Sequence, residues 1–309
     1  MITVLSLSPA IDKIYFVENF EAGQHYRTNN ILKSAGGKGL NVARVLSILG
    51  EGVTTLGFKA GQPGDWLASE IAELGINTRL ISVQGESRTN SNIIDPVRGT
   101  ETELLEIGPY ITDNNLKDFM MEFEQELNNT EILVCSGGLP EGVSSNFYKL
   151  LLEKAKTLSI KTILDSSNET LVEGIKGKPN IIKPNLRELS KYAGRILKDT
   201  SEIVEACRNI LQEGVEIVVT SLGSEGAILV SKQMVVQAKI RPINIINSIG
   251  SGDSMVAGFA FGISNNYPIE KMLKFGMACA VANTQFAEIG MVSRELVQKY
   301  MNEIEIITS

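Results

Sequence analysis

Between residues 132 and 223 the chain reads ILVCS (132–136), an amphipathic stretch over 144–158, TILDSS (162–167) and IIKP (181–184) running into NLRELSKYAG. A helical run over 200–213 and VEIVVTSLG (215–223) follow. Short apolar runs alternating with helical periodicity indicate βαβ units. A parallel strand is covered on both faces, so it reads as continuously apolar, and its crossover supplies the helix. The fold class is therefore α/β, with a central, mostly parallel sheet between helices. Upstream, ITVLSLS (2–8) and TTLGF (54–58) add strands on either side of the helix GLNVARVLSIL (39–49).

Two segments break this rhythm. KIYFVENF with RTNNILKS (13–34), and RTNSNIIDPVRGTETELLEI (88–107), read as short strands joined by turns, with Pro96 and Gly99 punctuating the second. Their simplest assembly is a small β-sheet lid over one edge of the main sheet. A pair of ordinary hairpins is the other reading. With no repeat, low-complexity tract or linker, residues 1–309 read as one α/β domain carrying a discontinuous lid.

Composition narrows the function. Of 309 residues, 43% are hydrophobic, enough for a core that needs no disulfide or metal staple. With 36 acidic against 29 basic residues the net charge is −7, which argues against a nucleic-acid partner though not against a local phosphate pocket. Cys135, Cys207 and Cys279 lie far apart and read as free thiols of a reducing compartment. His25 is the single histidine, so a His-ligated zinc enzyme or a Ser-His hydrolase is disfavoured. No stretch approaches the roughly 18 apolar residues of a membrane span. The N-terminus lacks the basic region of a signal peptide. The expectation is a cytoplasmic protein with no membrane partner.

Two glycine-dense stretches stand out, AGGKGLN (35–41) and IGSGD (249–253). Neither is a Walker A loop, since Gly39 follows Lys38, nor a dinucleotide fingerprint, since Met255 stands at the third glycine. Strand-like INIINS (243–248) precedes the second stretch and helical DSMVAGFAFGI (253–263) follows it. That context makes an anion site of backbone amides at a helix N-terminus. Asp253 has two readings there: a helix cap, or a general base beside a phosphoryl-transfer site. In the first stretch Gly36 and Gly37 allow close approach of a ligand. Asn41 and Asp12, the latter just after the first strand, suit a polyol or serve as turn and cap residues.

AGGKGLNVARVLSILG (35–50) and NSIGSGDSMVAGF (247–259), in this order and spacing, resemble the two signatures of the PfkB, or ribokinase-like, carbohydrate kinases. The likeness continues through SPAID (8–12), SRTN (87–90), CSGGLPEG (135–142), IKPNLREL (182–189) and SLGSEGA (221–227). It implies a ribokinase-like three-layer fold with a β-lid that closes the sugar site and forms a homodimer contact. It also favours Asp253 as the catalytic base, with Gly250, Ser251 and Gly252 supplying the anion hole.

By the same resemblance, Asp12, Gly36, Gly37, Asn41 and Ser136 would bind the sugar, and Lys38 and Arg88 would face its phosphate. Arg27 matches an arginine that relatives supply across the dimer. For ATP, Lys183, Asn185 and Glu188 match the KPNxxE segment, in which Asn185 and Glu188 would organise Mg²⁺ through water. Ser221, Gly223 and Gly226 match the stretch lining the phosphates and ribose, and Asn283 a position near the adenine. Three positions depart from the usual pattern: Ser8 for Asn, Gly138 for Ser and Ser251 for Ala. The chain looks closest to the branch of 1-phosphofructokinases and tagatose-6-phosphate kinases. The implied reaction is ATP-dependent phosphorylation of fructose 1-phosphate, with tagatose 6-phosphate as the alternative and a silent sugar-phosphate sensor behind both.

Overall fold

A computed structural model describes residues 1–308. Strand β1 (Ile2–Ser6) lies inside the main sheet, third from one edge, and the chain then leaves for lid strands β2 (Ala10–Phe16) and β3 (Ile31–Gly36). Helix α1 (Lys38–Leu49) returns it to β4 (Val53–Ala60), and α2 (Gly61–Glu73) leads on to β5 (Asn77–Val83). A second excursion forms β6 (Arg88–Asp95) and β7 (Thr100–Leu105).

Regular alternation follows: α3 (Asp113–Leu127), β8 (Ile132–Ser136), α4 (Phe147–Thr157), β9 (Lys161–Asp165) and α5 (Asn168–Ile175). Then come β10 (Ile181–Ile182), α6 (Leu186–Ala193), α7 (Thr200–Gln212) and β11 (Ile217–Ser221). The chain finishes with β12 (Ala227–Ser231), β13 (Val235–Lys239), α8 (Ser251–Ser264), α9 (Ile269–Asn283), α10 (Arg294–Glu303) and β14 (Glu305–Thr308).

Among the described residues the main sheet has ten strands in the order β14-β13-β12-β11-β10-β9-β8-β1-β4-β5. From β11 to β5 every pairing is parallel, while β12, β13 and β14 add an antiparallel edge. The winding reverses at β1, where β4 and β5 continue to one side and β8 to β11 to the other. Ligands of open α/β sheets bind outside the carboxyl ends of the strands at such a reversal.

Two apolar layers cover the sheet. One includes Leu46, Val256 and Leu273 from α1, α8 and α9, and the other Phe119, Tyr148 and Ile210 from α3, α4 and α7. Helices α8 and α9 touch at backbone level, because a Cβ on Gly258 would lie 2.6 Å from Gly276 Cα. Asp253 therefore starts from a helix fixed along its length.

The smaller sheet has the order β3-β2-β6-β7 and uses both segments that broke the α/β rhythm. Its register places Asp12 opposite Asn90 and Asn92 opposite Glu103. The strand expected over 243–248 does not form. After β13 the chain runs irregularly to α8, because β14 and β12 already flank β13 and leave no free edge. Ile243 and Ile245 line a cavity instead.

Candidate active site

Where the strands end at the winding reversal, a cavity of about 490 Å³ opens between the main sheet and the lid. Its floor comes from the carboxyl ends of successive strands: Ser6, Ser136, Asp165 and Ser221 end β1, β8, β9 and β11, and Lys183 follows β10. Arg88, Asn90, Asn92, Glu103 and Leu105 hang from the lid. A second cavity of about 390 Å³, largely apolar, is lined by Gly223, Gly226, Ile243, Ile245, Met255 and Val281. The two share Ser221, Ser248, Ser251 and Gly252, so they meet at the N-terminus of α8.

That N-terminus has no side-chain cap. Gly250 precedes it at φ 81°, a left-handed conformation that glycine adopts without strain, and an added Cβ would strike Ile289 at 2.8 Å. Asp253 stands in the first turn, 6% exposed, and Asn41 Nδ2 donates to its Oδ2 at 2.8 Å. The capping explanation for Asp253 thus fails, and its Oδ1 is left for another partner. Burial pushes its pKa up to about 7, with Asp165 adding to the rise and Lys38 opposing it. A carboxyl group that titrates near neutrality beside an anion site has the properties of a general base.

Lys38 lies 3.7 Å from Asp165 Oδ2, and Lys183, almost wholly buried, lies 3.3 Å from Asp165 Oδ1. The carboxylates of Asp165, Asp253 and Glu188 raise the Lys38 pKa against its desolvation. A Cβ on Gly252 would sit 3.3 Å from Lys183 Nζ. Two ammonium groups and a positive helix end converge on one spot, an arrangement that suits a polyphosphate. Lys38 was expected beside Arg88 on the sugar phosphate. In the structure it lies on the wall of the polar cavity, paired with Asp165. The sequence reading missed Asp165, whose only signal was its place at the carboxyl end of a buried strand.

The lid side holds a polar chain. Arg88 Nη1 donates to Asn90 Oδ1 at 2.9 Å, and Asn90 Nδ2 donates to Asp12 Oδ1 at 2.8 Å. Burial raises the Asp12 pKa, while the bonds from Asn90 and the Gly37 amide oppose the rise. Arg88 is anchored through Nε and Nη2 to the Ser8 carbonyl at 3.3 and 3.0 Å, leaving its other donors for the cavity. Gly36 is not on the wall: it backs Asp12, whose Oδ2 would lie 1.9 Å from a Cβ placed there. Gly37 does line the cavity, as do Asn41 and Ser136, each with a buried side-chain oxygen that has no partner.

Asn185 and Glu188 line the cavity while closing a reciprocal capping box on α6. Asn185 Oδ1 accepts from the Glu188 amide at 2.8 Å, and Glu188 Oε2 accepts from the Asn185 amide at 2.9 Å. Ser221, Gly223 and Gly226 are gathered at the second cavity as expected. Asn283 is not part of it. Fully buried, it donates to the Ile249 carbonyl at 2.9 Å and accepts from the Gly290 amide at 2.9 Å, bracing the loop that carries Gly250. Arg44, unremarked in the sequence, spans Ala35 and Ile289 through their carbonyls and ties the first glycine loop to the turn that packs against Gly250. Arg27 is exposed on the loop between β2 and β3, outside its own chain's cavity.

A largely apolar cavity that meets a polar one at an uncapped helix N-terminus, beside a buried carboxylate and two lysines, suits phosphoryl transfer from a nucleotide to a polar acceptor. Residues 1–288 match the model of the pfkB family of carbohydrate kinases, and the chain belongs to that family. It is 34% identical to a tagatose-6-phosphate kinase of Staphylococcus epidermidis, covering 99% of each chain. A Thermotoga maritima structure described as a possible 1-phosphofructokinase superposes with TM-score 0.92 at 28% identity, over 100% of this chain and 99% of that one. Phosphofructokinase-2 from Escherichia coli, in complex with substrates and products, superposes with TM-score 0.90 at 28% identity over 98% of each. The fold is the ribokinase-like α/β fold of these kinases, and the chain is a sugar-phosphate kinase.

Proposed function

We propose that this kinase transfers the γ-phosphoryl group of ATP to a free hydroxyl of fructose 1-phosphate, giving fructose 1,6-bisphosphate. The observation that carries the reading is Asp253, oriented by Asn41 where the two cavities meet. Asp253 Oδ1 takes the acceptor proton as that oxygen attacks the γ-phosphorus. The bond to the bridging oxygen breaks, and ADP leaves with its electron pair. The α8 amides, Lys38 and Lys183 face the charge that spreads over the transferring group. Arg88, from the lid, holds the phosphate the acceptor already carries.

Magnesium fits the donor set. Asp165, Glu188 and Asn185 share one wall, and the carboxylate oxygens of Asp165 meet only the ammonium groups of Lys38 and Lys183. Asn185 and Glu188 would hold the ion chiefly through water, as magnesium retains its hydration shell readily. Bound there, it would neutralise charge on the nucleotide phosphates.

A second reading, tagatose 6-phosphate as acceptor, is favoured by the 34% identity with a tagatose-6-phosphate kinase. Both acceptors yield a ketohexose 1,6-bisphosphate. The test is ADP release with Mg·ATP across fructose 1-phosphate, tagatose 6-phosphate, fructose 6-phosphate and fructose. The highest kcat/KM with fructose 1-phosphate is expected; a preference for tagatose 6-phosphate installs the second reading. Turnover of none, with ATP still bound, makes the chain a sensor.

A homodimer through the lid completes the reading. Ile31, Val97, Leu104 and Ile107 expose apolar surface on the lid, and Arg27 projects from it. Pairing would cover that surface and carry Arg27 to the other subunit's sugar phosphate. Three free, buried cysteines suit the reducing cytoplasm.

A further inference from the structure

The mechanism leaves two cavity-lining side chains without a task. Asn92 on β6 is 3% exposed, and its Oδ1 has no hydrogen-bond partner. Directly across the antiparallel ladder stands Glu103 on β7, whose carboxylate opens onto the same cavity. No cation within ion-pair distance neutralises Glu103. Partial burial raises its pKa, and the carboxylates of Glu101 and Asp12 add to the rise.

Both groups are acceptors; Asn92 Oδ1 is buried, and a buried acceptor without a donor costs stability unless a ligand supplies one, while Glu103 reaches the same cavity from the solvent side. Asp12, with an oxygen held by Asn90, lies next to them on the lid sheet. The strand bearing Glu103 is pinned to the body, because the Ser248 hydroxyl donates to Glu101 Oε2 at 3.2 Å. The pair is therefore held in place and faces the cavity across from Asp253.

We propose that Asn92 and Glu103 are specificity-determining residues that accept hydrogen bonds from secondary hydroxyls of the sugar and so select the configuration of the acceptor. The inference rests on the reading of this cavity as a ketohexose-phosphate site. A ketose phosphate bound with its reacting end at Asp253 and its phosphate at Arg88 turns its intervening hydroxyls toward the lid. Hydroxyls are donors of the kind these two oxygens lack. An epimer with one hydroxyl inverted removes the donor and leaves a polar group unpaired, which is the strongest form of discrimination a hydrogen-bonding site has. Phosphate cannot be the partner, since it offers acceptors to acceptors.

The test compares wild type with Glu103→Ala, Glu103→Gln and Asn92→Ala on three acceptors: fructose, its C3 epimer psicose and its C4 epimer tagatose. Each is supplied as the monophosphate, at C1 or C6, that the wild type turns over. Glu103→Ala is expected to raise the KM for the preferred acceptor about tenfold, with KM for ATP and Tm unchanged. It should also change the kcat/KM ratio between one pair of epimers by about tenfold. Glu103→Gln, which keeps one acceptor oxygen, should fall between wild type and the alanine variant. Epimer ratios within about twofold of wild type in all three variants overturn the proposal. Failure of the wild type on every ketohexose phosphate overturns the underlying reading instead, so the two failures are distinct. Because Glu103 is accessible and lies on an edge strand, its variants test the idea even if Asn92→Ala does not fold.

Discussion

The two walls of the acceptor cavity are built differently. The body wall is delivered by the ends of β1, β8, β9 and β10, strands buried between two helical layers, and by the first turn of α8. The lid wall hangs from a four-stranded sheet whose edge strand β7 is exposed from end to end. Asp253, Asp165 and Lys183 belong to the first; Arg88, Asn90, Asn92 and Glu103 belong to the second. The lid meets the rest through a small apolar cluster of Ile14, Ile94 and Ile289 and through contacts such as Lys33 Nζ lying 3.5 Å over the Trp66 ring and Glu101 meeting Ser248. Chemistry that depends on sub-ångström placement resides where packing is densest. Recognition of the acceptor resides where side chains can change without disturbing a core.

This contrast predicts how damage divides between kcat and KM. The largest effect belongs to Asp253→Asn, which should lower kcat by about 10²-fold or more with ATP binding nearly unchanged. ADP release and an ATP titration measure the two quantities. Near-normal turnover would remove Asp253 from the role of base and empty the body wall of its special status. Next comes Arg88→Ala, expected to raise the acceptor KM about tenfold while kcat moves less. Equal losses in kcat and kcat/KM would put the lid inside the chemical step.

The smallest effect over the working range is that of pH. With Asp253 titrating at about 7, kcat/KM should fall as the pH drops below that value, approaching about tenfold per unit. Arg88→Ala should keep this acid limb, and Asp253→Asn should lose it. An acid limb that survives in Asp253→Asn assigns it to another group.

The sequence showed the body more readily than the lid for a physical reason. Parallel strands buried on both faces print uninterrupted apolar runs, so ILVCS coincides with β8 and the helix expected at 39–49 appears as α1 over 38–49. Strand β7 has no buried face, and TETELL carries no alternation from which a cavity side could be read. The segment 243–248 misled because its isoleucines alternate like a strand, yet Ile243 and Ile245 cover a ligand cavity.

Asp253 and its glycines were legible as a local pattern, since the helix start and the base are contiguous in the chain. Asp165 was not, because its meaning comes from Lys38 and Lys183, which reach it only through the winding of the sheet. The pairing of Lys38 with Asp165 was hidden for the same reason. Asn283 showed neither its burial nor its bond to the Ile249 carbonyl, since both partners are set by how α9 packs.

The burial of Asp253 also has a consequence for proton linkage. Its pKa rises from 3.8 in an unstructured chain to about 7 in the folded one. Between those values the folded protein retains a proton that the unfolded chain has released. The stability associated with this group is complete below about pH 4 and declines as the pH climbs toward 7. The fold thus holds Asp253 least comfortably when it is ionised, the state a general base must have, and neutral pH trades conformational stability for that ionised carboxylate.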